Sequence, residues 1–138
     1  MKREVINPQN FFDPESDRVL DPTGQPWSHA VRAEGKFLFI SGQLAWGDDG
    51  KIIKGDMLAQ TQRALKNLEN VLSYVGGDLS NVVLTRWFVK SIDDFYKNGA
   101  STYRRTAFKK NFPTSTLVEI KRLAEEDALV EVESIAVF

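Results

Sequence analysis

Two alternating segments close the chain, FPTSTLVEIKRL at positions 112–123 and LVEVESIAVF at positions 129–138. Successive side chains of a β-strand point to opposite faces, and the apolar and polar residues of both segments follow this period of two. In the second segment Glu131 and Glu133 share one face, and valines occupy the other. The two segments therefore predict two strands, with a pair of carboxylates about 7 Å apart on one face of the second.

A helix is predicted before these strands, because apolar residues recur at alternating spacings of three and four after Asp56. Asp56 is a suitable N-cap, and the glycine pair at 76–77 is a suitable end. A strand rich in β-branched and aromatic residues follows at 82–90. Ser91 then begins a second helix, in which Gly99 either allows close packing or breaks the helix.

The sequence of the first part of the chain indicates less regular structure. Residues 1–26 contain four prolines and indicate an irregular arm, with a strand at 3–6 as an alternative. Two short strands at 27–33 and 36–41 are predicted to form a hairpin. The chain as a whole, residues 1–138, is then one α+β domain with a single mixed sheet and both helices on one face.

Helices on one side leave the other face of the sheet uncovered. On that face we place a mixture of apolar and acidic side chains, namely Leu117, Leu129, Ile135, Val137, Glu119, Glu131 and Glu133. A monomer would expose too much apolar surface there. We therefore expect the protein to form an oligomer.

Composition excludes several kinds of function. The formal net charge is −1, which gives no general attraction to nucleic acid, and we interpret Arg104 and Arg105 as a solvated helix end rather than a binding patch. With no cysteine and only one histidine, His29, a cysteine or multi-histidine metal site is excluded. No apolar run is long enough to span a bilayer and no signal peptide is recognisable, so we expect a cytoplasmic protein without membrane partners.

Five motifs occur in the order and spacing of the RidA/YjgF/UK114 family, which the chain resembles from about position 27 to its end. They are PWSHAV at 26–31, LFISGQ at 38–43, QT at 60–61 and the two closing segments. The resemblance implies a chorismate-mutase-like fold and a homotrimer closed around a central barrel. It further implies small-molecule clefts between subunits, no cofactor, and hydrolysis of reactive imines and enamines.

The resemblance also implies which residues line the cleft: Trp27, Ser41, Gly42, Ser115, Leu117 and Glu131. Glu131 is the acid–base candidate, because a desolvated carboxylate can take a proton from water. Its alternative role is structural, in ion pairs across the trimer. The strand position of Arg86 likewise suits either a ligand-binding cation or an interface salt bridge.

Ser115 departs from the family pattern, since relatives carry there an arginine that binds the substrate carboxylate. Serine offers one neutral hydrogen bond in place of a two-pronged cation. We therefore expect weak deamination of small imino acids and a different or less anionic ligand. Two functions remain open: hydrolysis or tautomerisation of imine or enamine metabolites, and a non-catalytic ligand-binding or chaperone-like trimer.

Overall fold

The computed structural model describes residues 2–8 and 26–138. Its elements are β1 (Lys2–Ile6), β2 (Ala30–Glu34), β3 (Phe37–Gln43), α1 (Met57–Tyr74), β4 (Val82–Val89), α2 (Ile92–Lys97), α3 (Ala100–Phe108), β5 (Thr114–Glu119) and β6 (Val130–Val137). Most of the predicted irregular arm lies outside the described residues, but the alternative strand at its start is confirmed by β1. Within the described residues, no helix is long and apolar enough to cross a membrane.

The main sheet has the strand order β3-β6-β4-β5. β4 and β5 are parallel and the other pairs are antiparallel, so the predicted mixed sheet of an α+β fold is confirmed. The predicted hairpin is wrong, because β2 pairs with β1 in a separate two-stranded sheet. Gly35 makes the change of partner possible: it has a φ of +146°, and a Cβ there would lie 2.2 Å from the Phe138 carbonyl oxygen.

Helix α1 begins and ends where the sequence predicts. The Asp56 carboxylate accepts a hydrogen bond of 2.9 Å from the Ala59 amide, which satisfies one of the free N–H groups of the first turn. At the other end, Gly76 has a φ of +81° and its amide bonds the Ser73 carbonyl, while the Gly77 amide bonds the Leu72 carbonyl. One face of the helix packs on the sheet.

The second predicted helix is divided in two. Ser91 caps α2 by accepting a hydrogen bond from the Asp94 amide, as predicted. Gly99 has a φ of +92° and separates α2 from α3, so of its two predicted roles the break is confirmed. A left-handed backbone angle is cheap for glycine alone, which explains why the chain turns at this residue.

The core between helices and sheet contains an unexpected arginine. Arg104 is only 3% exposed, and its guanidinium lies 5.5 Å from the centroid of the Trp87 ring and 5.2 Å from that of Phe95. The interpretation of Arg104 as part of a solvated helix end is therefore wrong. Its helical position turns it inward, and the aromatic faces stabilise the cation by cation–π contact.

The uncovered face of the main sheet, called the open face below, carries fewer apolar residues than predicted. Leu117 and Leu129 pack against the helix-covered core, because Leu117 is in register with buried Trp87. Val137 is fully buried near Gly35. The Glu119 carboxylate accepts a hydrogen bond from the Ile92 amide at the start of α2. The placements of Leu117, Leu129 and Glu119 on the open face are therefore wrong. Val137 is buried but is in register with exposed Phe37, so it stays on the open side of β6 with Ile135, Glu131 and Glu133.

Candidate functional site

A β-bulge lies in the edge strand β3, at one side of the open face. In the pairing of β3 with β6, Ile40 is opposite Ser134 and Gln43 is opposite Val132, so three steps along β3 match two along β6. The extra residue falls at 41–42, and the Gln43 side-chain amide donates to the Ser41 carbonyl at 3.1 Å. Bulges interrupt a sheet's regular pairing and often adjoin active sites.

Next to the bulge, an arginine and a glutamate form an ion pair across two strands. Arg86 on β4 is in register with Glu133 on β6, and Arg86 Nη1 lies 2.7 Å from Glu133 Oε1. The side chains are 47% and 39% exposed, so solvent and ligands can reach both. Arg86 thus forms a salt bridge within one chain, on a face where a ligand can contact the cation, and its two predicted roles, in ligand binding or in a salt bridge between subunits, stay predictions.

Glu131 lies beside this pair, directly against Gly42. A Cβ built on Gly42 would come within 1.7 Å of Glu131 Oε1, so only glycine leaves room for the carboxylate. The described part of the chain donates no hydrogen bond to this carboxylate. Burial raises the pKa of Glu131 above that of an ordinary glutamate, and the nearby charge of Glu133 raises it further.

An open groove of about 550 Å³ lies over the bulge and the ion pair, and Glu131 lies next to it against Gly42. Its lining includes Phe39, Ser41, Gly42, Arg86, Glu133 and Ile135. Three of the predicted substrate-binding residues, Ser41, Gly42 and Arg86, are thus brought together, with Glu131 against the glycine. The groove has a polar centre between β3 and β4 and an apolar side formed by Phe39 and Ile135.

The other predicted site residues lie elsewhere in the chain. Ser115 is in register with buried Thr85, which places it on the helix-covered face of β5, and Leu117 follows on the same face. Trp27 is half-buried and contacts His29 edge to face, with 5.1 Å between ring centroids. Trp27 nevertheless approaches the start of β5, because the next residue, Ser28, bonds the carbonyls of Phe112 and Pro113. The described chain therefore contains two separate groups of predicted site residues.

Sequence reasoning missed two features of the groove. The sequence indicates Glu131 as the acid–base candidate, yet Glu133 is the carboxylate that bonds Arg86 and lines the groove. The steric fit of Glu131 on Gly42 was also missed, because it depends on the register of β3 against β6 and on the bulge. The alternation of side chains within β4 and within β6 does not show that Arg86 and Glu133 share a face. That conclusion also requires the register between the two strands.

The chemistry available is that of a carboxylate with a raised pKa and a paired cation. Glu131 can accept a proton from water, and the bulge exposes backbone polar groups near it. Among residues 2–8 and 26–138, no cluster of three histidine, aspartate or glutamate side chains could hold a metal ion.

Comparison with known proteins shows which family the chain resembles. Residues 19–138 match the family model described as Endoribonuclease L-PSP. A RutC family protein of Pyrococcus abyssi is 34% identical over 124 residues, which cover 88% of this chain and 92% of the relative. The human 2-iminobutanoate/2-iminopropanoate deaminase is 30% identical over 113 residues, covering 81% and 80%.

A solved structure gives the same result for the fold. The Rid family protein YyfB of Yersinia pestis, described as being of unknown function, superposes with a TM-score of 0.82 at 32% identity, and the match covers 100% of both chains. The matched family model, the curated relatives and this structure all agree with the motifs in the sequence. The chain therefore belongs to the endoribonuclease L-PSP family, the RidA/YjgF/UK114 group of Rid and RutC proteins.

Proposed function

We propose that this protein hydrolyses imines or enamines of small metabolites in the groove on the open face, with Glu131 as the general base. The observation that carries the proposal is the position of Glu131 against Gly42, with no hydrogen-bond donor in the described chain and a raised pKa. A general base works best when its pKa approaches the working pH. The name of the human relative, an imine deaminase, favours the same class of reaction.

The proposed reaction consumes one water and releases ammonia. Glu131 accepts a proton from water while the water oxygen bonds to the imine carbon and the C=N π electrons move to nitrogen. Glu131 returns this proton to the nitrogen, which gives a carbinolamine. The hydroxyl proton then passes through Glu131 to the amine nitrogen, and the C–N bond breaks as the carbonyl forms and ammonia leaves. An enamine first gains a proton on carbon to give an iminium ion, which becomes the imine when a proton leaves its nitrogen. No redox step occurs, so the residues of the groove suffice.

The proposal includes a homotrimer, which remains a prediction. Phe37 and Phe39 are 56% and 75% exposed and stack with 6.4 Å between their ring centroids, on an edge strand of the main sheet. Large exposed aromatic side chains indicate a surface that a partner covers. A neighbouring subunit that brings its Ser115 and Trp27 to this groove would join the two groups of site residues.

We expect light scattering to show three subunits, and we expect a Phe39→Asp variant to shift the protein towards monomers. A monomeric parent protein contradicts the proposed assembly.

Glu131→Gln tests the catalytic role. The amide keeps the size of the side chain but cannot take a proton, so we expect at least a 100-fold loss of kcat with imines made in situ, in line with losses of about 10²–10⁴ for general bases. Glu119→Gln is the matched control, because Glu119 caps α2 on the other face. Equal activity of Glu131→Gln and the parent protein rules out the proposed base. If the parent protein binds such imines without accelerating their hydrolysis, the non-catalytic alternative is correct.

A further inference from the structure

The charges that line the groove indicate which imines it accepts. Arg86 is the only cationic side chain among the described residues lining it, and its guanidinium is already bonded to Glu133 at 2.7 Å. Glu131 adds a second carboxylate, one strand repeat of about 7 Å from Glu133. With both glutamates ionised, the three side chains carry a net charge of −1.

A substrate carboxylate would meet two obstacles in this groove. It would approach Glu133 and Glu131, whose negative charges repel it, and it would have to compete with Glu133 for Arg86. Ser115 provides no replacement cation, and it lies on the other face of the sheet within one chain. A protonated imine without a carboxylate is instead favoured in this groove, because the two glutamates attract its positive charge.

The apolar side of the groove fits the rest of such a molecule. Phe39 is 75% exposed in the single chain and is in register with Ile135 on β6, so the two form an apolar surface next to the ion pair, which the substrate would share with the neighbouring subunit of the proposed trimer. A hydrocarbon substituent on the imine carbon can bury apolar area there while the C=N group faces Glu131. The groove therefore separates a polar reacting end from an apolar binding end.

Resting on the proposed imine hydrolysis, we propose that the substrates are imines or iminium ions that carry an apolar substituent and no carboxylate, as formed by oxidation of primary amines. In this assignment the Arg86–Glu133 pair determines specificity, because Glu133 neutralises the one cation that would otherwise hold a carboxylate. The class of reaction that supplies these substrates is the two-electron oxidation of an amine to an imine.

A matched pair of substrates tests the assignment. The imine of 3-methylbutylamine, made by an amine oxidase, and the imino acid of leucine, made by an amino-acid oxidase, differ in the carboxylate on the imine carbon. Loss of each imine is followed with a semicarbazide trap and divided by its uncatalysed rate. We expect an acceleration at least tenfold greater for the carboxylate-free imine. A greater acceleration of the imino acid overturns the substrate class and leaves imine hydrolysis intact, whereas no acceleration of either overturns the proposed function itself.

Glu133→Gln tests the role of the ion pair. The variant leaves Arg86 without its anionic partner, so we expect the preference between the two substrates to move at least tenfold towards the imino acid. Glu119→Gln changes the charge of the chain equally, on the other face, and is expected to keep the parent preference. An unchanged preference in Glu133→Gln removes the Arg86–Glu133 pair as the determinant of specificity.

Discussion

The two faces of the main sheet stabilise an arginine in opposite ways. On the covered face, Arg104 is enclosed by Trp87 and Phe95, and burial lowers its pKa to about 10. On the open face, Arg86 stays half exposed and bonds the carboxylate of Glu133. The aromatic rings offer Arg104 a fixed apolar enclosure, whereas a carboxylate partner can be exchanged for a ligand.

The difference separates a structural cation from one that can take part in a site. A buried guanidinium held by aromatic faces contributes packing as well as charge, and no ligand can reach it. An exposed ion pair contributes little to stability because water screens it. We therefore expect substitutions on the covered face to affect folding and substitutions on the open face to affect activity.

Arg104→Ala gives the largest expected effect. Truncation leaves a cavity between Trp87 and Phe95, so we expect the free energy of unfolding to fall by about 3 kcal/mol, as for other large-to-small core changes. Arg86→Ala is the matched control on the open face, with an expected loss below about 1 kcal/mol. Urea denaturation followed by tryptophan fluorescence measures both. Equal losses from the two variants would show that the faces do not differ as described.

Gly42→Ala is expected to act on the reaction rather than on folding. The new methyl group occupies the space of the Glu131 carboxylate, which must rotate away from the bulge. We expect about a 100-fold decrease in kcat, since a displaced general base loses most of its contribution, with unfolding changed little. Gly50→Ala adds the same methyl group where nothing lies within 4 Å of it, and is the control for kcat. Full activity in Gly42→Ala would mean that Glu131 does not act from the position seen here.

The pH dependence of kcat in Glu133→Gln tests the electrostatic coupling between the two glutamates of the open face. The charge of Glu133 is the second cause, after burial, of the raised pKa of Glu131, so its removal lowers that pKa. Because the base form of Glu131 is the active one, the acidic limb of the kcat profile should move to lower pH. High salt screens the same charge and should shift the parent profile in the same direction. A limb that moves to higher pH contradicts this coupling.

The sequence predicts the elements of this fold better than their partners. Asp56, Ser91 and the glycine pair at 76–77 act locally, so the ends of the helices followed from chemistry within one turn. The hairpin prediction was wrong because β2 and β3 each pair with a strand that is distant in sequence, β2 with β1 and β3 with β6. Glu34 is followed by a glycine that fits against the C-terminal Phe138, and no local pattern reveals that contact.

The residues of the candidate site also divide into those that the sequence indicates and those that depend on strand pairing. The family motifs indicated Ser41, Gly42 and Glu131, and the structure brings them together. The resemblance placed Ser115 with them, but its register with Thr85 puts it on the covered face of the single chain. The Arg86–Glu133 pair required the register of β4 against β6, which a period of two alone does not specify.

The smallest expected effect is on the pH dependence of stability. A carboxyl group whose pKa is raised by folding keeps its proton where the unfolded chain has lost it, so its contribution to stability falls as pH rises from the ordinary glutamate pKa through the folded value. Asp78 works in the opposite sense, because hydrogen bonds from Ser80 lower its pKa and favour the folded state as pH rises. Both the parent protein and Glu131→Gln contain Asp78, so its contribution cancels when the free energy of unfolding of the variant is subtracted from that of the parent. The remaining pH dependence is that of Glu131. We expect this difference, measured by urea denaturation at a series of pH values, to fall with pH and then become constant; a rise would mean that the pKa of Glu131 is lowered by folding, and the open face would then lack a base of the kind proposed.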